Sequence, residues 1–248
     1  MRLNSWALLI FLLPHRGISQ PGYRHIKISD DIELVRLSEN AYLHVSTSFI
    51  SGYGRVASNG LIYTNGHKAF LFDTPVAESQ TLKLLDFVED SLKLKIIGFV
   101  PNHWHSDCMG GLKVIQKRKI DSWANRMTID IARTKNLPVP AHGFRDSLSL
   151  DLGGKRIFCY YPGPAHTLDN IVVWIPSEKI LFAGCMVKSL DSQNLGNTAD
   201  GDLKSYPATL ARLITKFPDA KIVIPGHGNP GGIELVIHTE ELLRKTKQ

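Results

Sequence analysis

Apolar residues along this chain fall into two rhythms. Residues 32–37 and 41–47 are short runs rich in β-branched and aromatic side chains, separated by Ser38-Glu39-Asn40, and they predict two strands. Residues 61–64 and 69–73 predict a hairpin across Asn65-Gly66. Residues 95–100 are almost continuously apolar, as expected of a strand buried on both faces. By contrast, residues 77–92 carry apolar side chains at helical spacing. A helix over 112–119 follows Gly110-Gly111. A strand over 120–124 and a helix over 126–134 come next, closed off by Pro138 and Pro140. Residues 147–152 alternate, and Gly153-Gly154 turns them into a strand over 156–161.

The second half repeats this order. It has strands at 171–175 and 180–183, a helix at 203–217 with Pro207 near its first turn, a strand at 221–224 and a closing helix at 233–245. Residues 49–60, with Gly52, Gly54 and Gly60, read as a loop. Tyr53 sits between two of these glycines, where it is either a surface turn residue or an aromatic flap able to fold over a ligand. No linker-like stretch separates the elements. The expectation is an α/β chain with one domain over residues 20–248, two sheets facing each other and helices covering the outside.

Composition adds limits. The 248 residues are 43% hydrophobic and 21% charged, enough to bury a full core. The net charge of +6 is spread without a dense Lys/Arg run, so nucleic acid is not an expected partner. Three cysteines give no disulfide framework. Residues 1–19 combine Arg2, an apolar run from Ala7 to Leu13 and the small residues Gly17 and Ser19, the pattern of a secretory signal peptide. Its apolar run is too short to span a bilayer. Removing it takes Arg2 and Arg16 away and leaves +4. A periplasmic protein, with no membrane segment in the mature form, is the corresponding expectation.

The chemistry gathers after the 95–100 strand, in PNHWHSDCMGG. His103, His105 and Asp107 alternate there, which on an extended backbone puts them on one side. Imidazole suits zinc, and a carboxylate can join it. Three later residues also stand beside small residues at strand ends or turns: His166, Cys185 and His227. Singly, each also fits a turn residue or a small buried hydrophobe.

Together these pieces resemble the metallo-β-lactamase superfamily, and within it the two-zinc, subclass-one β-lactamases. HWHSDCMGG, GPAHTLDNIVVW, FAGCMVKS, GN and IPGHG occur in that order, and the resemblance runs from about Ile32 to the end. It implies the four-layer αβ/βα sandwich. It implies one zinc on His103, His105 and His166, and a second on Asp107, Cys185 and His227. Three imidazoles leave a zinc an open position, where water ionises near neutral pH. The implied reaction is hydrolysis of the β-lactam amide of penicillins, cephalosporins and carbapenems by that hydroxide, with no covalent intermediate, giving antibiotic resistance.

In the resemblance Lys188 grips the substrate carboxylate, and Asn197 helps to hold the lactam carbonyl. Tyr53 lies on the flap, where many relatives carry a larger or aliphatic group. Asp107 orients the nucleophile, and Asp73 orients the metal loops; a cap on the following helix is an alternative role for Asp73, compatible with the first. Glyoxalase-like and nuclease-like members usually carry His directly after the motif Asp and a bridging Asp later, where this chain has Cys108 and Cys185. Cys108 and Cys159 read as structural, and the other histidines as non-ligands. The chain is expected to act as a monomer. A thioester or lactone hydrolase of the same superfamily, or a zinc module without catalysis, are the competing readings.

Overall fold

In a computed structural model, residues 22–246 are described; the signal-peptide expectation for 1–19 lies outside them. The first half builds an eight-stranded sheet. Its strands are β1 (Arg24–Ser29), β2 (Ile32–Arg36), β3 (Ala41–Ile50), β4 (Gly54–Asn65), β5 (Lys68–Phe72), β6 (Lys95–Val100), β7 (Asp121–Asn125) and β8 (His142–Phe144), paired in chain order. The second half builds a five-stranded sheet from β9 (Ser147–Leu152), β10 (Lys155–Tyr160), β11 (Val172–Ile175), β12 (Ile180–Gly184) and β13 (Ile222–Pro225), ordered β13-β12-β11-β10-β9. Hairpins give antiparallel pairs. Parallel pairing occurs where helical segments cross between strands: β5 with β6, β6 with β7, β7 with β8, and β12 with β13.

The crossing helices are α1 (Glu78–Asp90), the short α2 (Ser106–Met109), α3 (Leu112–Lys117), α4 (Arg126–Thr134) and α5 (Tyr206–Lys216); α6 (Glu234–Thr246) closes the fold. Local chemistry starts several of them. Asn125 Oδ1 accepts from the Met127 N–H at 2.9 Å at the head of α4. Pro207 occupies the first turn of α5, where a missing N–H costs nothing.

Three apolar layers separate the four layers of secondary structure. Between the sheets, Phe72, Tyr63 and Val100 pack with Phe182, Ile157 and Ile224. Outside the first sheet, Ile62, Leu71 and Phe99 pack with Leu84, Leu85 and Ile115 of α1 and α3. Outside the second, Leu181 and Val223 meet Leu210, Leu213, Val236 and Leu243 of α5 and α6. Thus β5, β6, β12 and β13 are covered on both sides, which is why their sequences are almost wholly apolar.

Two expectations change. The 49–60 stretch is mostly strand: β3 runs to Ile50 and β4 begins at Gly54, so the loop shrinks to residues 51–53. The glycines that suggested a loop include Gly60, which sits within β4 directly opposite His44. Two strands are also added. β1 is largely exposed and β8 is three residues long, so neither shows a strong apolar pattern.

Candidate metal centre

Loops at the C-terminal ends of β6, β12 and β13 converge with the β10–β11 loop. His103 and His105 follow β6. Asp107 lies in the first turn of α2, so the alternating motif is a bent segment entering a helix, not an extended strand. His166 comes from the β10–β11 loop, Cys185 directly follows β12, and His227 follows β13. Tight backbone approach makes this convergence possible. Gly184 adopts φ +59°, and a Cβ there would lie 2.5 Å from the Asn102 side chain; at Gly226 it would lie 2.3 Å from Cys185 Sγ.

The imidazoles of His103, His105 and His166 surround one point, with ring centroids 4.6, 5.0 and 5.3 Å apart. His103 Nε2 and His105 Nδ1 are 3.0 Å apart. Their other nitrogens are engaged: His103 Nδ1 lies 3.1 Å from Cys108 Sγ and His105 Nε2 lies 3.0 Å from Asp200 Oδ2. With protons on those outer nitrogens, two lone pairs point at each other, an arrangement that a shared cation reconciles. Beside them, Asp107 Oδ2, Cys185 Sγ and His227 Nε2 form a second triangle with sides of 3.3, 3.4 and 3.4 Å. His227 Nδ1 donates to the Ala57 carbonyl at 2.8 Å, which turns its Nε2 towards the triangle. His103 and His166 also lie within ligand distance of Cys185, so the two groups adjoin.

The electrostatics favour a bound cation. Burial lowers His103 to about 3 and pushes His166 well below its usual range, so both stay neutral and keep lone pairs. Burial would raise Asp107, but the hydrogen bond from His227 and the nearby histidine charges hold it far below the carboxylate range. A hydrogen bond from Cys108 brings the Cys185 thiol down to about 6 against its own burial. His227 is the exception: against its burial, Cys185 and Asp107 push it well above its ordinary value, so a cation bound there would take the place of that proton. Buried imidazoles beside a carboxylate and a thiolate are the donor chemistry of zinc.

Asp73 does not cap α1, whose cap is Ala77. Its buried carboxylate instead accepts the Asn102 N–H at 2.5 Å, next to His103. Asn102 in turn pairs with Ile171 through its backbone carbonyl at 2.9 Å and its Nδ2 at 2.6 Å, tying the His103 loop to the strand beyond His166. Asn102 and Asp200 were missed in the sequence because a lone Asn or Asp in a loop carries no spacing signal. Cys159 is buried between the sheets, and burial pushes its thiol up to about 12. His25, His44, His67, His142 and His238 belong to no ligand cluster among the described residues.

The cluster opens into a cleft of about 670 Å³, with Tyr53, Trp104, Lys188 and Asn197 in its walls. Tyr53 is 61% exposed at the β3–β4 tip. Lys188 is buried. Burial lowers its ammonium pKa, countered by Cys185 and Asp107, and Nζ donates to the Cys185 carbonyl at 2.8 Å. Asn197 Oδ1 accepts the Ala199 N–H at 3.1 Å.

Two stacked sheets, flanked by helices and carrying metal-ligand groups on convergent loops, define a metal-dependent enzyme scaffold. The chain belongs to the metallo-β-lactamase superfamily, whose family model matches residues 53–227. It is 48% identical to the metallo-beta-lactamase type 2 of Bacteroides fragilis, over 97% of this chain and 95% of the relative. To the metallo-beta-lactamase type 2 of Pseudomonas aeruginosa it is 33% identical, over 88% of this chain and 87% of the relative. A solved metallo-beta-lactamase from Pontibacter korlensis superposes with a TM-score of 0.83 at 38% identity, covering 86% of this chain and 99% of that one. The expected four-layer fold is therefore the observed one, and the family is a metal-using one.

Proposed function

We propose that this chain is a β-lactamase that hydrolyses the amide of penicillins, cephalosporins and carbapenems with two zinc ions. The supporting observation is the meeting of six ligand-type side chains, drawn from both halves of the chain, in one open cleft with a buried lysine in its wall. A purely structural zinc site would be closed by four protein ligands. Family membership and relatives named for this activity point the same way.

In this reading His103, His105 and His166 hold one zinc, and Asp107, Cys185 and His227 hold the other. When bound, the two ions supply Lewis-acid polarisation of the lactam carbonyl and an acidic water near neutral pH. The side chains do the rest. Lys188 uses one N–H on the Cys185 carbonyl and has two left for the substrate carboxylate. Asn197 fixes its Oδ1 on the Ala199 N–H, which leaves its NH₂ to donate to the carbonyl oxygen as negative charge develops there. Asp107 orients the attacking water and passes a proton towards the amide nitrogen released on ring opening. Tyr53 offers an apolar ring face over the bound substrate. Water attacks directly, so no acyl-enzyme forms. The reading includes export by residues 1–19 to the periplasm, action as a monomer and a role in antibiotic resistance.

Nitrocefin turnover, measured with a zinc count on the same sample, is the primary test; no turnover at two zincs per chain sinks the reading. Lys188→Ala is expected to raise KM about tenfold and leave kcat nearly unchanged, the loss of one charge-assisted contact. An unchanged KM removes its role. Cys185→Ser exchanges a thiolate for a hydroxyl that stays protonated. At zinc concentrations where the parent keeps two ions, this variant should keep about one. Equal loss of both ions counts against the assigned ligand sets.

A further inference from the structure

The cleft does not end at the ligand cluster. It continues under the β3–β4 tip, lined by Ile50, Val56 and Met109, and reaches Glu78 at the start of α1 and Lys113 on α3. Charge is unbalanced around Glu78, at the rim of this arm, although Lys117 itself stands outside the cleft. Lys113 Nζ lies 3.7 Å and Lys117 Nζ 4.0 Å from the same Glu78 carboxylate, so one anion faces two cations. Arg118, just past the end of α3, is already paired with Asp86 and Glu89. Both lysines are loosely held, with side chains 59% and 77% exposed, and Lys113 is the one in the cleft wall. Lys188, the other lysine lining the cleft, is buried against the Cys185 carbonyl beside the metal ligands.

The two lysines therefore sit at different places along one trench. A ring carboxylate held by Lys188 would leave the opposite end of the substrate to run past the apolar walls towards Lys113. We propose that Lys113 forms a second anion subsite, which favours β-lactams whose acyl side chain ends in a carboxylate. This rests on the β-lactamase reading above. The attraction is a surface one, partly offset by Glu78, so it changes selectivity and leaves the chemical step alone.

The test compares three substrates on the zinc-loaded enzyme: adipoyl-6-aminopenicillanic acid, the methyl ester of its side-chain carboxylate, and benzylpenicillin. The parent is expected to prefer the acid over the ester in kcat/KM. Lys113→Glu should lower that acid-to-ester ratio about fivefold, chiefly through KM, with benzylpenicillin turnover retained. Raising the salt to about 1 M should shrink the parent's preference. An unchanged ratio in Lys113→Glu overturns the subsite, and so does an equal loss on all three substrates. If the zinc-loaded parent turns over none of them, the β-lactamase reading itself falls and the subsite falls with it. If benzylpenicillin is hydrolysed but the ratio is indifferent to Lys113, only the subsite falls.

Discussion

Stripping the metal with a chelator should reduce nitrocefin turnover by at least about 10³-fold, since several kcal/mol of transition-state stabilisation come from the ions. The fold should survive. Its three apolar layers lie between and outside the sheets, and none of the six ligand positions supplies the bulk of any of them. Far-ultraviolet dichroism should therefore change little while activity disappears, and added zinc should restore turnover. Full activity after verified zinc removal would refute the mechanism. Collapse of the secondary structure on chelation would show that the ions hold the fold as well as the reaction.

The second large effect concerns acid and a histidine outside the metal centre. His44 is buried on β3, with Nε2 3.1 Å from the Asp73 carbonyl. Burial lowers its pKa from 6.5 to about 4, against the pull of the Asp73 and Phe72 carbonyls. The folded ring is thus neutral where an unfolded one would take up a proton. Stability is complete above pH 6.5 and falls as the pH drops from there to about 4, below which this group adds no further change. The loss is about 3 kcal/mol, most of it by pH 4.5. Denaturant unfolding of the metal-free protein at pH 7 and pH 4.5 checks this, because the buried ligand histidines contribute equally to parent and variant. His44→Gln should show a smaller drop between the two conditions than the parent. Equal drops would mean that His44 does not carry the acid sensitivity.

Much of this molecule is legible in its residues, for physical reasons that can be named. The strand over Lys95–Val100 and the helix over Arg126–Thr134 are observed at the expected bounds, because continuous burial and a 3.6-residue rhythm both leave a strong pattern. The β3–β4 tip was misjudged because glycines inside a strand look like glycines in a loop. All six candidate ligands come together; singly the later three are ambiguous, and it is the order of the motifs along the chain, resembling the metallo-β-lactamases, that marks the six as a set. Their supports were hidden. Asn102 acts through partners at Asp73 and Ile171, and Asp200 through His105, and none of these contacts is encoded in a short spacing. Lys113 was equally invisible, because a lysine on an amphipathic helix reads as a solvated charge until the cleft is seen to reach it.

Neither sheet owns a complete set of ligands. The three-histidine group takes two members from the chain before β9 and one after it; the Asp107 group takes one before and two after. Asn59 bridges the same seam, with Nδ2 donating to the carbonyls of Pro225 and Gly228 at 2.9 and 2.7 Å. A chain cut at Gly153-Gly154 would accordingly yield two fragments that are each blind to the metal, and only their reassociation could restore a competent pair of sites. The ions, on the reading above, work as rivets through a two-plate joint, so any drift of one plate against the other is felt first as weakened hold on the metal.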